Sequence, residues 1–507
     1  FGEFLAQNKK QVEFCALLKG FAQPGAGSLI GIRDIMQALE AFLIWQPKLA
    51  RTKILEAMGF IAPDGRCPRQ YSLPESEDAP PRMDLREFID QGVWVVSTLS
   101  NYLKFTGDFS ILEETCGYYE IIDEESNLVR KSEIRDTVLE HLIKIVNWLV
   151  SKEDKKTGCT RVLFGDWNDA LDGLGVDISR KNKFGSGVSV MAASQVWQSL
   201  NEMIEMLEIA CPGKYCEIKM NWKQSAERLV KGLQKYGVVE NSSGVKRIVH
   251  GWGDQMSYYV GGWDDPDGKP RRSLTSNAFW SLSGLLDLDT SLEETIYRDI
   301  LATDSKYGLK TFDEGFESNT KGVGRIPKLP MGTAENGAAY VHASMFGTMA
   351  LFKMGYSIDG WKTLAKSLPI THESVSASPF VIPNSYGYNV QKNIDGESMM
   401  DWQTGASNVF LKTVVYYIIG IRPQYEGIWI QPAANLPFKK FTAEINIRGA
   451  LFKIEINTAA DKRKFLVNQK EAESIWDEKM KINKLWIPYN SMQNEMIIEI
   501  TDITEGN

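Results

Sequence analysis

Nine residues, Gly165-Asp166-Trp167-Asn168-Asp169-Ala170-Leu171-Asp172-Gly173, bring three carboxylates, an amide and an indole together between two glycines. That set suits a sugar. A flat ring takes the apolar C–H face of a pyranose, an amide and one carboxylate take hydroxyls, and a second carboxylic acid can protonate a glycosidic oxygen. The same residues also make an Asx-rich turn, in which Asp and Asn accept backbone N–H bonds and Gly supplies a positive φ. Three other clusters have similar chemistry. Arg33-Asp34 opens a helix, where Asp34 also serves as a first-turn acid and Arg33 as its surface partner. Glu335 and His342 lie about two helical turns apart in Thr333–His342, so both can look into one cavity. His342, one of four histidines, also reads as a satisfied core residue. Gln403-Thr404-Gly405 enters a helix with free backbone N–H groups and a hydroxyl, which is either an anion pocket or an ordinary Thr cap.

The elements that must hold these clusters are mostly helical. Apolar residues recur at helical spacing in 34–46, 86–105, 136–151, 189–209, 221–236, 276–287, 338–355 and 404–420. Long loops rich in Gly, Asp and Trp join them, with no βαβ alternation. This predicts a mainly α fold in which an inner ring of helices lies within an outer ring and the long loops gather around a pocket at one end. Residues 1–29 read as a lead-in or linker, 30–422 as the helical domain, and 423–507 as a small β-sandwich. In the last of these, Glu426–Pro432, Phe441–Gly449, Leu451–Ile456 and Met496–Ile500 alternate with period two.

At 507 residues the chain can bury a large core, and its net charge of −8 without long runs of one sign leaves no footprint for nucleic acid or anionic membrane. No apolar run reaches the roughly 18–20 residues of a membrane span. Six cysteines without a CxxC pair or metal-ligand spacing predict reduced thiols in a cytoplasmic protein and no metal. The chain starts at Phe1 without a signal-peptide pattern, which predicts a fragment or a processed chain.

Taken in order, RDxxQ at Arg33–Gln37, DWND at Asp166–Asp169, ENGxxYxHA at Glu335–Ala343 and TGAS at Thr404–Ser407 resemble the inverting glycoside phosphorylases. That family includes cellobiose, chitobiose and 1,2-β-oligoglucan phosphorylases and the phosphorylase-like domain of cyclic β-1,2-glucan synthases. The resemblance implies an (α/α)6 barrel followed by a C-terminal β-sandwich. It also implies that Asp169 is the general acid, that Arg33, Asp34, Trp167, Glu335 and Gln403 bind the sugar, and that His342, Thr404 and Gly405 cradle phosphate. Phosphate would be a co-substrate, with no cofactor and no metal, and a homodimer is the assembly expected.

The implied reaction is direct displacement: phosphate attacks the anomeric carbon of a β-linked glucooligosaccharide and releases α-glucose 1-phosphate. A phosphate nucleophile arrives already anionic, so one acid and a set of anion donors suffice. A second carboxylate placed as base would repel it. Two positions depart from the cellobiose enzymes: Gly27 and Ser28 stand where an Arg helps bind phosphate, and Ala334 stands where a Lys precedes the Glu335 counterpart. The glycine-rich approach to Arg33, with Phe88–Trp94, is most similar to the 1,2-β-oligoglucan branch. The family's N-terminal β-sandwich has no counterpart in this chain. Two other readings stay open: an inverting hydrolase with Asp166, Asp172 or Glu335 as base, or a sugar-binding fragment of a larger synthase.

Overall fold

The computed structural model describes residues 1–19, 29–76, 79–176, 184–438 and 440–502. Its framework is twelve helices of eight or more residues. The first six are α1 (Gly2–Phe14), α2 (Ile32–Phe42), α3 (Pro47–Met58), α4 (Gln91–Thr106), α5 (Val138–Ser151) and α6 (Val190–Ala210). The others are α7 (Cys216–Tyr236), α8 (Leu274–Leu282), α9 (Glu293–Leu301), α10 (Val341–Lys353), α11 (Ser357–Ser367) and α12 (Ala406–Thr413).

How much of its circumference a helix makes apolar or small decides where it sits. Helices α8 and α10 bury nearly every position, and α2, α4 and α12 bury most of theirs. In contrast, α7 buries only a stripe through Trp222, Ala226, Leu229 and Leu233, and α11 only Ser357, Gly360, Thr363, Leu364 and Ser367. The six even-numbered helices therefore form the inside: α2, α4, α6, α8, α10 and α12 each pack on the next, and α12 closes on α2. Each odd-numbered helix lies against this ring from outside. The result is a helical barrel.

Residues 1–29, read from sequence as a lead-in, contribute α1 to that outer layer. Phe4 and Val12 are buried, and Gln11 donates Nε2 to the carbonyls of Ile382 (2.7 Å) and Asp401 (2.8 Å). Helices α3, α9 and α11 lie outside the segments marked by helical spacing, and each buries only part of one face. A long hairpin, β1 (Thr115–Asp123) with β2 (Leu128–Thr137), joins α4 to α5, and a second, β3 (Ser385–Asn389) with β4 (Ile394–Met399), precedes α12.

Beyond α12 the chain turns at Gly420. Its φ is +79°, and a Cβ there would lie 2.1 Å from the Pro432 nitrogen, so only glycine fits. Two sheets follow. One has the order β5 (Ile421–Pro423), β6 (Gly427–Ile430), β12 (Ile482–Pro488), β11 (Ile475–Asp477). The other has the order β7 (Phe441–Ile447), β8 (Ala450–Ile456), β13 (Glu495–Asp502), β9 (Arg463–Val467), β10 (Lys470–Ala472), with β8 and β13 parallel. The strands expected at 426–432, 441–449, 451–456 and 496–500 fall on β6, β7, β8 and β13. Each of the last three alternates buried and exposed positions as its sequence does.

Candidate active site

The loop from Gly165 to Asp169 is shaped by its own short side chains. Gly165 passes so close to Phe88 that a Cβ would meet the ring at 2.6 Å, and its carbonyl accepts the Ile89 N–H. Asp166 Oδ1 then accepts the Asn168 N–H (2.8 Å), and Asn168 Oδ1 accepts the Ala170 N–H (3.2 Å). These are two overlapping Asx turns. Asp166 and Asn168 are almost fully buried, whereas the carboxylate next to them, on Asp169, is 18% exposed. The turn reading of this stretch holds for Asp166 and Asn168, and Asp169 is left with its carboxylate partly exposed.

Two arginines hold Asp169. Arg33 donates Nη2 to Oδ1 at 2.9 Å, and Arg69 donates Nη2 to Oδ2 at 2.6 Å. Burial pushes the Asp169 carboxyl up, but Arg33 and then Arg69 outweigh it and hold it down at about 2. Arg33 also donates to Asp90 Oδ2 (3.0 Å) and to the Asp166 carbonyl (3.2 Å). Asp90 is fully buried at the start of α4 and also accepts Trp94 Nε1 (3.1 Å). Arg69 is fixed on its other side by Asp84 Oδ2 (2.9 Å) and stacks over Phe88, 4.9 Å from the ring centre. Asp34, one residue after Arg33, keeps its carboxyl raised by burial against the pull of Arg33.

A ring cluster joins this clamp to the α10 and α12 starts. Trp167 is only 6% exposed and meets Tyr340, His342 and Phe346 edge-on, with centroids 5.2, 5.2 and 5.8 Å away. The indole is therefore more a wall than an open stacking platform. Burial, with the Arg33 charge behind it, pushes the His342 imidazole down to about 3, so at neutral pH it is an uncharged ring. A Cβ at Gly405 would come within 2.3 Å of that ring, so the α12 start and His342 share one surface. Thr404 is buried, and its Oγ1 accepts the Ala406 N–H (3.0 Å). Gln403 Oε1 is buried with no hydrogen-bond partner among the described residues. Glu335 sits near Asp169; burial first, and the Asp169 charge after it, raise its carboxyl.

The structure thus gathers Arg33, Asp34, Trp167, Asp169, Glu335, His342 and Gly405 at one end of the barrel. Every inner helix begins there. The Arg33 N–H of α2 reaches Gln91 Oε1 at the start of α4, and the α6 start bonds His250, whose Nδ1 contacts Ser273 before α8. Helix N-termini carry partial positive charge and unpaired N–H groups, which favour an anion. The residues before α2, α10 and α12, which are Gly31, Tyr340 and Gly405, offer no side-chain cap.

Two of the three bases open to a hydrolase are committed elsewhere. Asp166 is buried, with Oδ2 3.1 Å from His250 Nε2; that charge and hydrogen bonding outweigh burial and lower its carboxyl. Asp172 accepts the Arg325 N–H and faces Arg325 Nε at 3.2 Å. Gly27 and Ser28 lie outside the described residues. Ala334 adopts a left-handed backbone, φ +44°, in the turn ahead of Glu335. Sequence reasoning missed Arg69, Asp84, Asp90 and His250. Asp90 stands within the Phe88–Trp94 stretch already noted, but Arg69 lies in Cys67-Pro68-Arg69-Gln70, which has no periodicity or motif to find it by.

Comparison with known proteins places the chain in a family. The chain is 25% identical over 462 residues to solabiose phosphorylase of Paenibacillus borealis, covering 88% of this chain and 53% of that protein. It is 24% identical over 469 residues to the cyclic beta-(1,2)-glucan synthase NdvB of Rhizobium meliloti, covering 87% of this chain and 15% of the synthase. The chain thus spans about half the length of the first relative and far less of the second. In fold it is similar to a metal-independent alpha mannosidase of Streptococcus pneumoniae, with a TM-score of 0.51 and 13% identity, over 82% of this chain and 93% of that one. Residues 6–420 match the family described as the glycosyl hydrolase 94 superfamily, catalytic domain, and the chain belongs to that family.

Proposed function

We propose that this protein catalyses the inverting phosphorolysis of β-linked glucooligosaccharides, with β-1,2 linkages as the substrate class, to α-glucose 1-phosphate and a shortened sugar. The carrier is an (α/α)6 barrel with a C-terminal β-sandwich. The catalytic residues lie in 30–422, α1 completes the outer ring, and the sandwich follows in 423–507. The observation that carries the reading is the arrangement around Arg33. Its Nη2 holds Asp169 and its Nη1 the buried Asp90, while its charge reaches the uncharged His342 beside the α12 start.

In this reading Asp169, once protonated, gives its proton to the glycosidic oxygen as the C1–O bond breaks. A phosphate oxygen forms the new bond to C1 from the opposite face, held by His342, Thr404 and Gly405. Asp34, Trp167, Glu335 and Gln403 shape the sugar pocket, and Arg33 ties the acid to the barrel wall. The named activities of the family relatives support phosphate as nucleophile, and the glucan synthase match supports the β-1,2 linkage. A cytoplasmic homodimer is the expected setting.

The test is to incubate a panel of β-linked glucose disaccharides with and without phosphate and assay α-glucose 1-phosphate. The reading requires sugar phosphate with the β-1,2 disaccharide only when phosphate is present. Free glucose formed equally without phosphate would make the protein a hydrolase, and binding without turnover would make it a sugar-binding part of a larger enzyme.

A further inference from the structure

An acid that must deliver a proton has both of its oxygens taken. Asp169 Oδ1 accepts from Arg33 and Oδ2 from Arg69; each oxygen keeps a second lone pair, but two guanidinium charges at hydrogen-bond distance favour the ionised carboxylate. Withdrawing one guanidinium lets Asp169 take up far more readily the proton it is to give. The two are not equally able to do so. Releasing Arg33 would strand Asp90, which is fully buried and takes Arg33 Nη1 at 3.0 Å. Releasing Arg69 strands nothing, because its other partner, Asp84, is also held by Arg86 (Nη2–Oδ2 2.6 Å, Nε–Oδ1 3.0 Å). Arg69 also rests on the flat face of Phe88, across which its guanidinium can slide without losing contact.

Arg69 holds Asp169 by the oxygen that Arg33 does not. The Arg33 charge bears on His342 of the phosphate cradle. In the proposed reaction the oxygen held by Arg69 is the one that meets the departing sugar.

We propose that Arg69 is a latch on the proton donor: it occupies Asp169 Oδ2 in the resting site, and hydroxyls of the departing sugar draw it off so that Asp169 can be protonated. This rests on the phosphorolysis reading for the identity of the acid. The exchange is balanced: an N–H···Oδ2 bond becomes an N–H···O bond to a sugar hydroxyl, and the freed carboxylate takes one proton from solvent. Arg69 is thus a positioning residue that admits the proton only when a leaving group is there to receive it. The other groups facing Asp169 are Arg33 and Asp34 from α2, Asp90 from α4, and Glu335 and Tyr340 ahead of α10, with Arg325 on its carbonyl. With Arg69 removed, Asp34 and Asp169 face Arg33 alone, while Glu335 still faces Arg325 as well.

The test measures kcat and kcat/KM against pH for phosphorolysis of the β-1,2-linked glucose disaccharide by wild type, Arg69→Gln and Arg69→Lys. A general acid must be protonated, so activity falls as pH rises past its pKa, and kcat/KM reports the free enzyme. The falling limb of kcat/KM should move to higher pH by about one unit or more in Arg69→Gln. It should stay near wild type in Arg69→Lys, and the limb of kcat should stay in place in both, because bound sugar has already drawn the latch. An unmoved kcat/KM limb with a raised KM would make Arg69 a sugar contact only, and an equal loss at every pH would make it merely structural; either overturns the proposal.

Calorimetry in two buffers of different ionisation enthalpy, with the disaccharide and no phosphate, keeps the question open to folded protein alone. Wild type should take up close to one proton near neutral pH and Asp169→Asn none, and no uptake by wild type overturns the latch. Proton uptake here, together with no sugar phosphate formed once phosphate is supplied, would instead defeat the phosphorolysis reading and leave the latch standing.

Discussion

The two ends of the inner ring are built from the same six helices and have opposite characters. At the end where the helices start, loops bring Arg33, Arg69, Asp169 and His342 together, and at five of the six starts the residue before the helix makes no side-chain cap bond. At the end where they finish, the carbonyls are stitched by cations of the chain itself. Lys353 Nζ donates to the Ser281 and Leu282 carbonyls at the close of α8, and Arg448 from the C-terminal sheets donates to Leu103 and Lys104 at the close of α4. Between the ends runs a cavity of about 760 Å³, lined by Gln37, Gln195 and Asn408 and by the Glu40–Lys412 pair. Opposite charges there sit side by side. Helix dipoles make one end electropositive, and at the other Lys353 and Arg448 cover the last carbonyls. In the proposed reaction the start of the ring is the place of the anionic co-substrate.

The sharpest way to break this contrast is at the acid. Asp169→Asn should cut turnover on the order of 10²–10⁴-fold while leaving disaccharide binding nearly intact; steady-state rates with binding calorimetry check it, and persisting sugar release sinks the assignment. Gly405→Ala comes next. Its Cβ would lie 2.3 Å from the His342 ring, so phosphate saturation should be lost with the melting temperature little changed. His342→Ala should raise the KM for phosphate roughly 10–100-fold, the scale of one hydrogen bond to a charged group, and the KM for sugar far less. Equal effects on the two constants would contradict a phosphate role.

Away from the start of the ring the expected effects are small. Gln195→Leu replaces a buried amide whose Oε1 has no hydrogen-bond partner among the described residues, so stability should move by no more than about 1 kcal/mol and turnover not at all. Loss of activity there would show that the two ends act as one site. Burial pushes the Lys353 ammonium from 10.5 down to about 8. Between those values the unfolded chain holds a proton that the folded one has released, so this group makes the fold more stable as pH rises from about 8 to 10.5. Below about 8 its full penalty applies. Melting curves of Lys353→Met against wild type should show that slope removed.

Much of this was legible before any coordinates. The inner helices could be read because burial on nearly all sides leaves a dense apolar record, as in Val341–Phe352. Outer helices such as α9 and α11 bury a few residues each and are faint for the same reason. Helix α1 read as a lead-in because its main anchor, Gln11, is a polar side chain bonded to carbonyls some 371 and 390 residues away. The β1–β2 hairpin is largely exposed and buries too little to mark itself.

The site divides in the same way. Asp169, His342 and Gly405 stand in compact runs whose chemistry is dense along the chain, so types and spacing marked them as candidates and the family resemblance gave them roles. What those residues are in the resting protein was decided only by folding. Arg69 meets Asp169 across 100 residues, and Asp90 anchors Arg33 across 57. Local sequence sets which groups can donate and accept, because that follows from side-chain type and backbone turn. The charge state of a carboxylate follows from whatever lies within a few ångströms of it, and closure of the ring alone brings those neighbours there.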